Sequence, residues 1–145
     1  MTSAIPSNDS AGSSEGVSTV RPYQEERPWG NFRRFTQNEQ STVKVISVNP
    51  GAVLSLQSHA GRSEFWHVLS GEGAVEIGLP IADSGAGGEI VKTLVKKGDE
   101  FFIPVGAKHR LSAAENSALE ILEIAMGNFD ESDIVRFEDK YGRVS

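Results

Sequence analysis

Cysteine is absent from the 145 residues, which excludes disulfides, thiolate metal sites and cysteine nucleophiles. Histidine is nearly as scarce, and three residues, His59, His67 and His109, are the whole supply of imidazole. No apolar run approaches the roughly 20 residues that a membrane helix needs. Neither Lys nor Arg, nor an apolar stretch, occurs before Arg21, so the start of the chain does not read as a secretory signal. Positive charge is in deficit, with 14 Lys and Arg against 20 Asp and Glu. The resulting net charge of -6 has the wrong sign for binding phosphate backbones. The expectation is a soluble, cytoplasmic chain with no nucleic-acid or membrane partner. Any metal must then sit on His, carboxylate or amide ligands.

With 38% apolar and 23% charged residues the chain can bury a core of its own. Residues 1–22 are rich in Ser, Gly, Asn and Asp and read as a disordered tail, leaving residues 23–145 as one domain. The domain is written in short β-runs punctuated by Gly, Pro and Asn. Strands are expected at Thr42 to Val48, Ala52 to His59, Glu64 to Leu69, Gly73 to Ile77, Glu89 to Val95, Glu100 to Ile103 and Ala118 to Ile124. Pro80 to Gly88 reads as a loop. Helical spacing of Ile134 and Phe137, with Asp130 or Ser132 as N-cap, predicts a short helix over Glu131 to Lys140.

Strand alternation puts Ser55, Gln57 and His59 on one face of their run, opposite Leu54, Leu56 and Ser58. A polar face is unusual in so apolar a segment. Glu64 follows across a short connection and can return a carboxylate opposite Gln57 and His59, while His109 comes after the rigid turn Pro104 to Lys108. One Gln, two His and one Glu form a donor set suited to Zn²⁺, with Fe²⁺ and Mn²⁺ as alternatives. His67 falls on the face opposite Glu64 and reads as a structural histidine; Trp29 and Trp66 read as barrel packing.

The spacings Gly51-x5-Gln57-x-His59-x4-Glu64-x6-Gly71 and Gly98-x5-Pro104-x-Gly106-x2-His109 resemble the two cupin motifs. The surrounding text is narrower: Arg27-Pro28-Trp29-Gly30, Arg62, Trp66, His109-Arg110-Leu111, and an ending from Asp133 to Arg143. Together they resemble the type II mannose-6-phosphate isomerase domain, which in that family often forms the C-terminal part of bifunctional guanylyltransferases. The resemblance implies an all-β single cupin, a double-stranded β-helix or jelly-roll barrel, here with a short C-terminal helical segment. It also implies Gln57, His59, Glu64 and His109 as metal ligands, and a homodimer. Gly61 and Phe65 stand where many members have histidines, and Ala125 where many have a Gln near the last strand. No Gly-rich phosphate loop occurs in the leader, so a bifunctional role is not expected.

The resemblance implies metal-dependent interconversion of mannose 6-phosphate and fructose 6-phosphate by aldose-ketose proton transfer. Arg62, Arg110 and Lys108 are the cations available for the phosphate, and Ser55 a further substrate contact. Alternation turns Lys108 and Arg110 away from His109, which favours Arg62. Glu123, in an aliphatic strand where burial raises a carboxylate's pKa, is the candidate base, with Glu120 as its rival. The alternative is a cupin module that binds a sugar or sugar phosphate without turning it over.

Overall fold

In the computed structural model, residues 20–143 are described except Ser84 and Ala86. In chain order the strands are β1 (Tyr23–Arg27), β2 (Gly30–Arg34), β3 (Ser41–Val48), β4 (Leu56–Ser58), β5 (Arg62–Gly71), β6 (Gly73–Gly78), β7 (Ile90–Val95), β8 (Glu100–Ile103), β9 (Lys108–Ala113), β10 (Leu119–Gly127) and β11 (Val135–Glu138). They form a β1-β2 hairpin, a four-stranded sheet in the order β3-β10-β5-β8 and a five-stranded sheet in the order β11-β4-β9-β6-β7, all antiparallel. This is the expected all-β architecture, with no helix among the described residues.

Apolar residues that alternate along each strand meet between the two large sheets. There Val48, Trp66, Val68, Val75, Ile103, Leu111, Leu119 and Ile121 form the main core. A second cluster covers the outer face of the four-stranded sheet, where Val20, Phe65, Ile124 and Met126 pack with Phe35. Val20 therefore packs as part of the domain, two residues before Pro22, while residues 1–19 of the expected tail lie outside the described residues. Gly71, the last residue of the first motif, is required by geometry. Its φ is +88°, and a Cβ there would lie 1.8 Å from the Ala118 carbonyl oxygen.

Three local expectations are corrected. The Glu131 to Lys140 helix is strand β11, paired with β4 through Val135↔Ser58 and Arg136↔Gln57. Its helix-cap signal is instead a turn, in which the Asp130 carboxylate accepts the Ser132 N–H and hydroxyl. Trp29 is 73% exposed at the tip of the β1-β2 hairpin, so it packs in no barrel. The predicted Ala52 to His59 strand shrinks to β4, with Val53 forming an isolated bridge to Ser112.

Candidate metal centre

The strand register decides which side chains meet. On the four-stranded sheet, Lys44, Glu123 and Trp66 lie in one row across β3, β10 and β5, and Thr42, Ala125 and Glu64 in the next. Directly opposed residues of an antiparallel pair share a face, here the one towards the other sheet. On the five-stranded sheet a facing row runs Arg136, Gln57, His109 across β11, β4 and β9. His59 follows β4 in the turn leading to β5. The two sheets enclose a cavity of about 340 Å³ lined by Lys44, Ser55, Gln57, Arg62, Glu123 and Arg136 around His59, Glu64 and His109.

At its floor His59, Glu64 and His109 are all buried. The Nε2 atoms of the two histidines are 3.2 Å apart, His59 Nε2 is 3.4 Å from Glu64 Oε2, and His109 Nε2 is 3.3 Å from Glu64 Oε1. Each Nδ1 donates to a main-chain carbonyl, His59 to Asp133 at 2.7 Å and His109 to Ala107 at 2.9 Å, because a carbonyl oxygen can only accept. Arg62 Nη2, always a donor, sits 3.2 Å from His59 Nε2 and marks that nitrogen as bare. Two ring nitrogens and a carboxylate thus converge with one shared need, a proton or a cation between them. Glu64 Oε1 is buried with no hydrogen-bond partner among the described residues. The three separations match the edge of a tetrahedron, about 3.3 Å for bonds near 2.05 Å. The residues present therefore fit a small divalent ion, and Gln57 lines the same cavity.

Electrostatics follow from burial. Burial drives His59 below its usual pKa, keeping it neutral as a ligand must be. For Glu64 burial pushes upward, but the nearness of His109, with that of His59 and Arg62, outweighs it and brings the carboxyl to about 2. Glu123 goes the other way. Burial and then the charge of Glu64 push it up to about 7, against the pull of Lys44, whose Nζ is 3.7 Å from Oε1, and of the Trp66 Nε1–H donated to Oε2 at 3.2 Å.

Among the predicted site residues, the structure brings together Ser55, Gln57, His59, Arg62, Glu64, His109 and Glu123. Arg62 is spent within the site: it bonds Glu64 at 3.2 Å and the Asp130 carbonyl at 3.1 Å, and its guanidinium covers Phe129. Arg110 and Lys108 do not join, because β9 alternation turns them to the outer face. There Arg110 pairs with Glu76 and Glu138, and Lys108 lies over Phe137. Glu120 is exposed and bonds Ser47 and Ser70. His67 is likewise outside the cavity, 2.7 Å from Glu100. Among the substituted positions, Phe65 faces the outer cluster and takes nothing from the cavity, whereas Ala125 stands opposite Glu64 on its inner side.

Sequence reasoning missed Lys44, Arg136 and Asp133. The Asp133 carboxylate accepts the N–H groups of Ala60 and Gly61, both at 2.8 Å, while its carbonyl holds His59. A side chain at Gly61 would press on this clamp, since a Cβ would lie 3.2 Å from Asp133 Oδ2. Partners of this kind orient ligands, and losing one typically weakens metal affinity about 10- to 100-fold. Asp133→Ala is expected to show that loss in a Zn²⁺ competition titration, and His67→Ala to match the unmodified chain. Equal losses in both would place the metal elsewhere.

Two facing antiparallel sheets with a His/Glu cluster between them define a single cupin jelly roll. The chain belongs to the family described as mannose-6-phosphate isomerase C-terminal, whose model matches residues 18–139. It is 39% identical over 135 residues to the xanthan biosynthesis protein XanB of Xanthomonas campestris, covering 92% of this chain and 26% of that protein. It is 38% identical over 119 residues to the mannose-1-phosphate guanylyltransferase ManC of Salmonella typhimurium, covering 81% of this chain and 22% of that one. The chain thus spans about a quarter of the length of the curated relatives it matches. A dTDP sugar isomerase from Desulfovibrio desulfuricans superposes with a TM-score of 0.63 over 87% of this chain and 86% of that one, at 12% identity, which speaks for the fold alone.

These relatives correct the expected activity. The catalytic name that ManC carries is guanylyltransferase, and it belongs to a protein of which this chain matches 22%, so a mannose-6-phosphate isomerase reading of this chain is not supported. No helix of the described residues is long and apolar enough to cross a membrane.

Proposed function

We propose that the chain is a metal-binding module that captures a sugar or sugar phosphate without turning it over. The observation behind this reading is the polar cavity seated on the His59, Glu64 and His109 cluster. Its size lies at the lower end of small-molecule sites, and its lining supplies convergent polar groups for hydroxyls and an anion. Ala125, on the inner side opposite Glu64, removes a polar group from the wall. Zn²⁺ is the preferred ion because the donors are nitrogen and oxygen at tetrahedral spacing, with Fe²⁺ and Mn²⁺ as alternatives. His59, Glu64 and His109 would hold it with Gln57, and a bound ion would supply a Lewis acid for a hydroxyl oxygen. Loading requires Arg62 Nη2 to release His59 Nε2, while Arg62 keeps Glu64 and the Asp130 carbonyl.

Calorimetric titration of the Zn²⁺-loaded chain with mannose and mannose 6-phosphate tests the reading, alongside a coupled assay for fructose 6-phosphate. Saturable binding of at least one sugar with no product is the expected result. Turnover, or binding of neither sugar, would overturn it.

A further inference from the structure

Four cationic side chains line the cavity: Lys44, Arg62, Arg136 and Arg143. Three are committed to carboxylates. Lys44 lies between Glu123 and Glu131, Arg62 is held by Glu64, and Arg143 is gripped by Asp139. Arg136 differs. Its Nε is buried without a hydrogen-bond partner, and its guanidinium has no ion pair among the described residues. A desolvated guanidinium nitrogen left unpaired is unfavourable, because folding strips its water and returns no acceptor. Arg136 lines the cavity, so an acceptor entering it can supply the missing partner.

We infer that Arg136 is the anchor for the phosphate of a phosphorylated sugar, which rests on the sugar-binding reading above and adds the residue that holds the phosphate and the ligand's orientation. The planar guanidinium fork matches phosphate oxygens in a way an ammonium cannot. Its placement is set by the strand row. Arg136 is opposite Gln57, and Gln57 is opposite His109. With strands about 4.8 Å apart, the Arg136 backbone stands roughly 10 Å from that of His109. A sugar in the cavity that all these side chains line would then turn its hydroxyls towards His59, Glu64 and His109 and its phosphate towards β11. Arg110 and Lys108 have no part in this, being turned outward and engaged with Glu76, Glu138 and Phe137.

The test compares the Zn²⁺-loaded chain with Arg136→Gln, Arg136→Lys and Arg110→Gln, titrating each with mannose 6-phosphate, mannose and inorganic phosphate. Metal content and melting temperature confirm that each variant is folded and loaded. The unmodified chain is expected to prefer mannose 6-phosphate over mannose by about 10- to 100-fold, the range of a charge-assisted hydrogen bond. Arg136→Gln erases that preference and weakens inorganic phosphate binding equally, leaving mannose affinity unchanged. Arg136→Lys restores part of it and Arg110→Gln none of the loss appears. A preference that survives Arg136→Gln, or equal affinity of the unmodified chain for the two sugars, overturns the anchor while sugar binding stands. Binding of inorganic phosphate that depends on Arg136 without binding of either sugar keeps the anion site and overturns the sugar reading. No binding of mannose 6-phosphate, mannose or phosphate overturns both, whereas binding of mannose alone overturns the anchor only.

Discussion

Glu64→Gln is expected to empty the metal centre and to destabilise the chain even without metal. Both Glu64 oxygens face a histidine ring nitrogen, and the same carboxylate neutralises the buried Arg62 guanidinium. An amide is the same size but carries no charge, so the cluster loses the anion that draws a cation into it. Removing one partner of a buried ion pair typically costs about 3–5 kcal/mol, because the other charge stays desolvated. A ligand at about 1,000 times its dissociation constant adds roughly 4 kcal/mol of stability to the form that binds it. Urea unfolding with and without Zn²⁺ should show both losses, and elemental analysis should find the metal gone. Near-stoichiometric metal in Glu64→Gln would mean that the donor set has been misassigned.

The second large effect is in the pH dependence of the metal-free chain, where two buried carboxylates act in opposite directions. Glu64 is held at about 2, below its ordinary 4.5, so its contribution is complete above pH 4.5 and is lost as the pH falls towards 2. Glu123 is raised to about 7, so the folded state retains a proton that the unfolded chain has already released. Stability associated with Glu123 is therefore complete below pH 4.5 and declines as the pH rises through 7, by about 3 kcal/mol for a shift of this size. Glu123→Gln cannot ionise and should flatten that decline. Urea midpoints at pH 5 and pH 8 provide the measurement: the variant should gain on the unmodified chain at pH 8 and not at pH 5. A constant difference between the two would show that Glu123 does not titrate in this window.

The grouping of His59 and Glu64 in one cavity with Gln57 was legible because its signal is local and periodic. Gln57 and His59 stand at alternate positions, Glu64 follows a short turn, and the parity that excluded His67 is the parity of β5. The rest was hidden for physical reasons. Lys44 sits between Val43 and Val45 and would ordinarily be read as the solvent side of β3. Here both valines are exposed and the lysine turns inward, because this end of the inner face is a polar cavity and not core. Arg136 was obscured by the helical spacing of Ile134 and Phe137, although β11 begins only at Val135 and leaves Ile134 outside it. Asp133 acts through its main chain and two turn amides, and no residue pattern announces such a bond. The substrate cations Arg110 and Lys108 were drawn in by nearness to His109 along the chain, although alternation already pointed them away.

The cluster draws on both large sheets, with Glu64 on β5 and His109 on β9, and its two histidines are 50 residues apart in the chain. Contacts of that separation come late in folding, since the intervening loop must close before they are rewarded. An ion held there is therefore expected to change the folding rate little. What it can do is resist the sheets' parting, so that its effect falls on the rate of unfolding and on the lifetime of the native state.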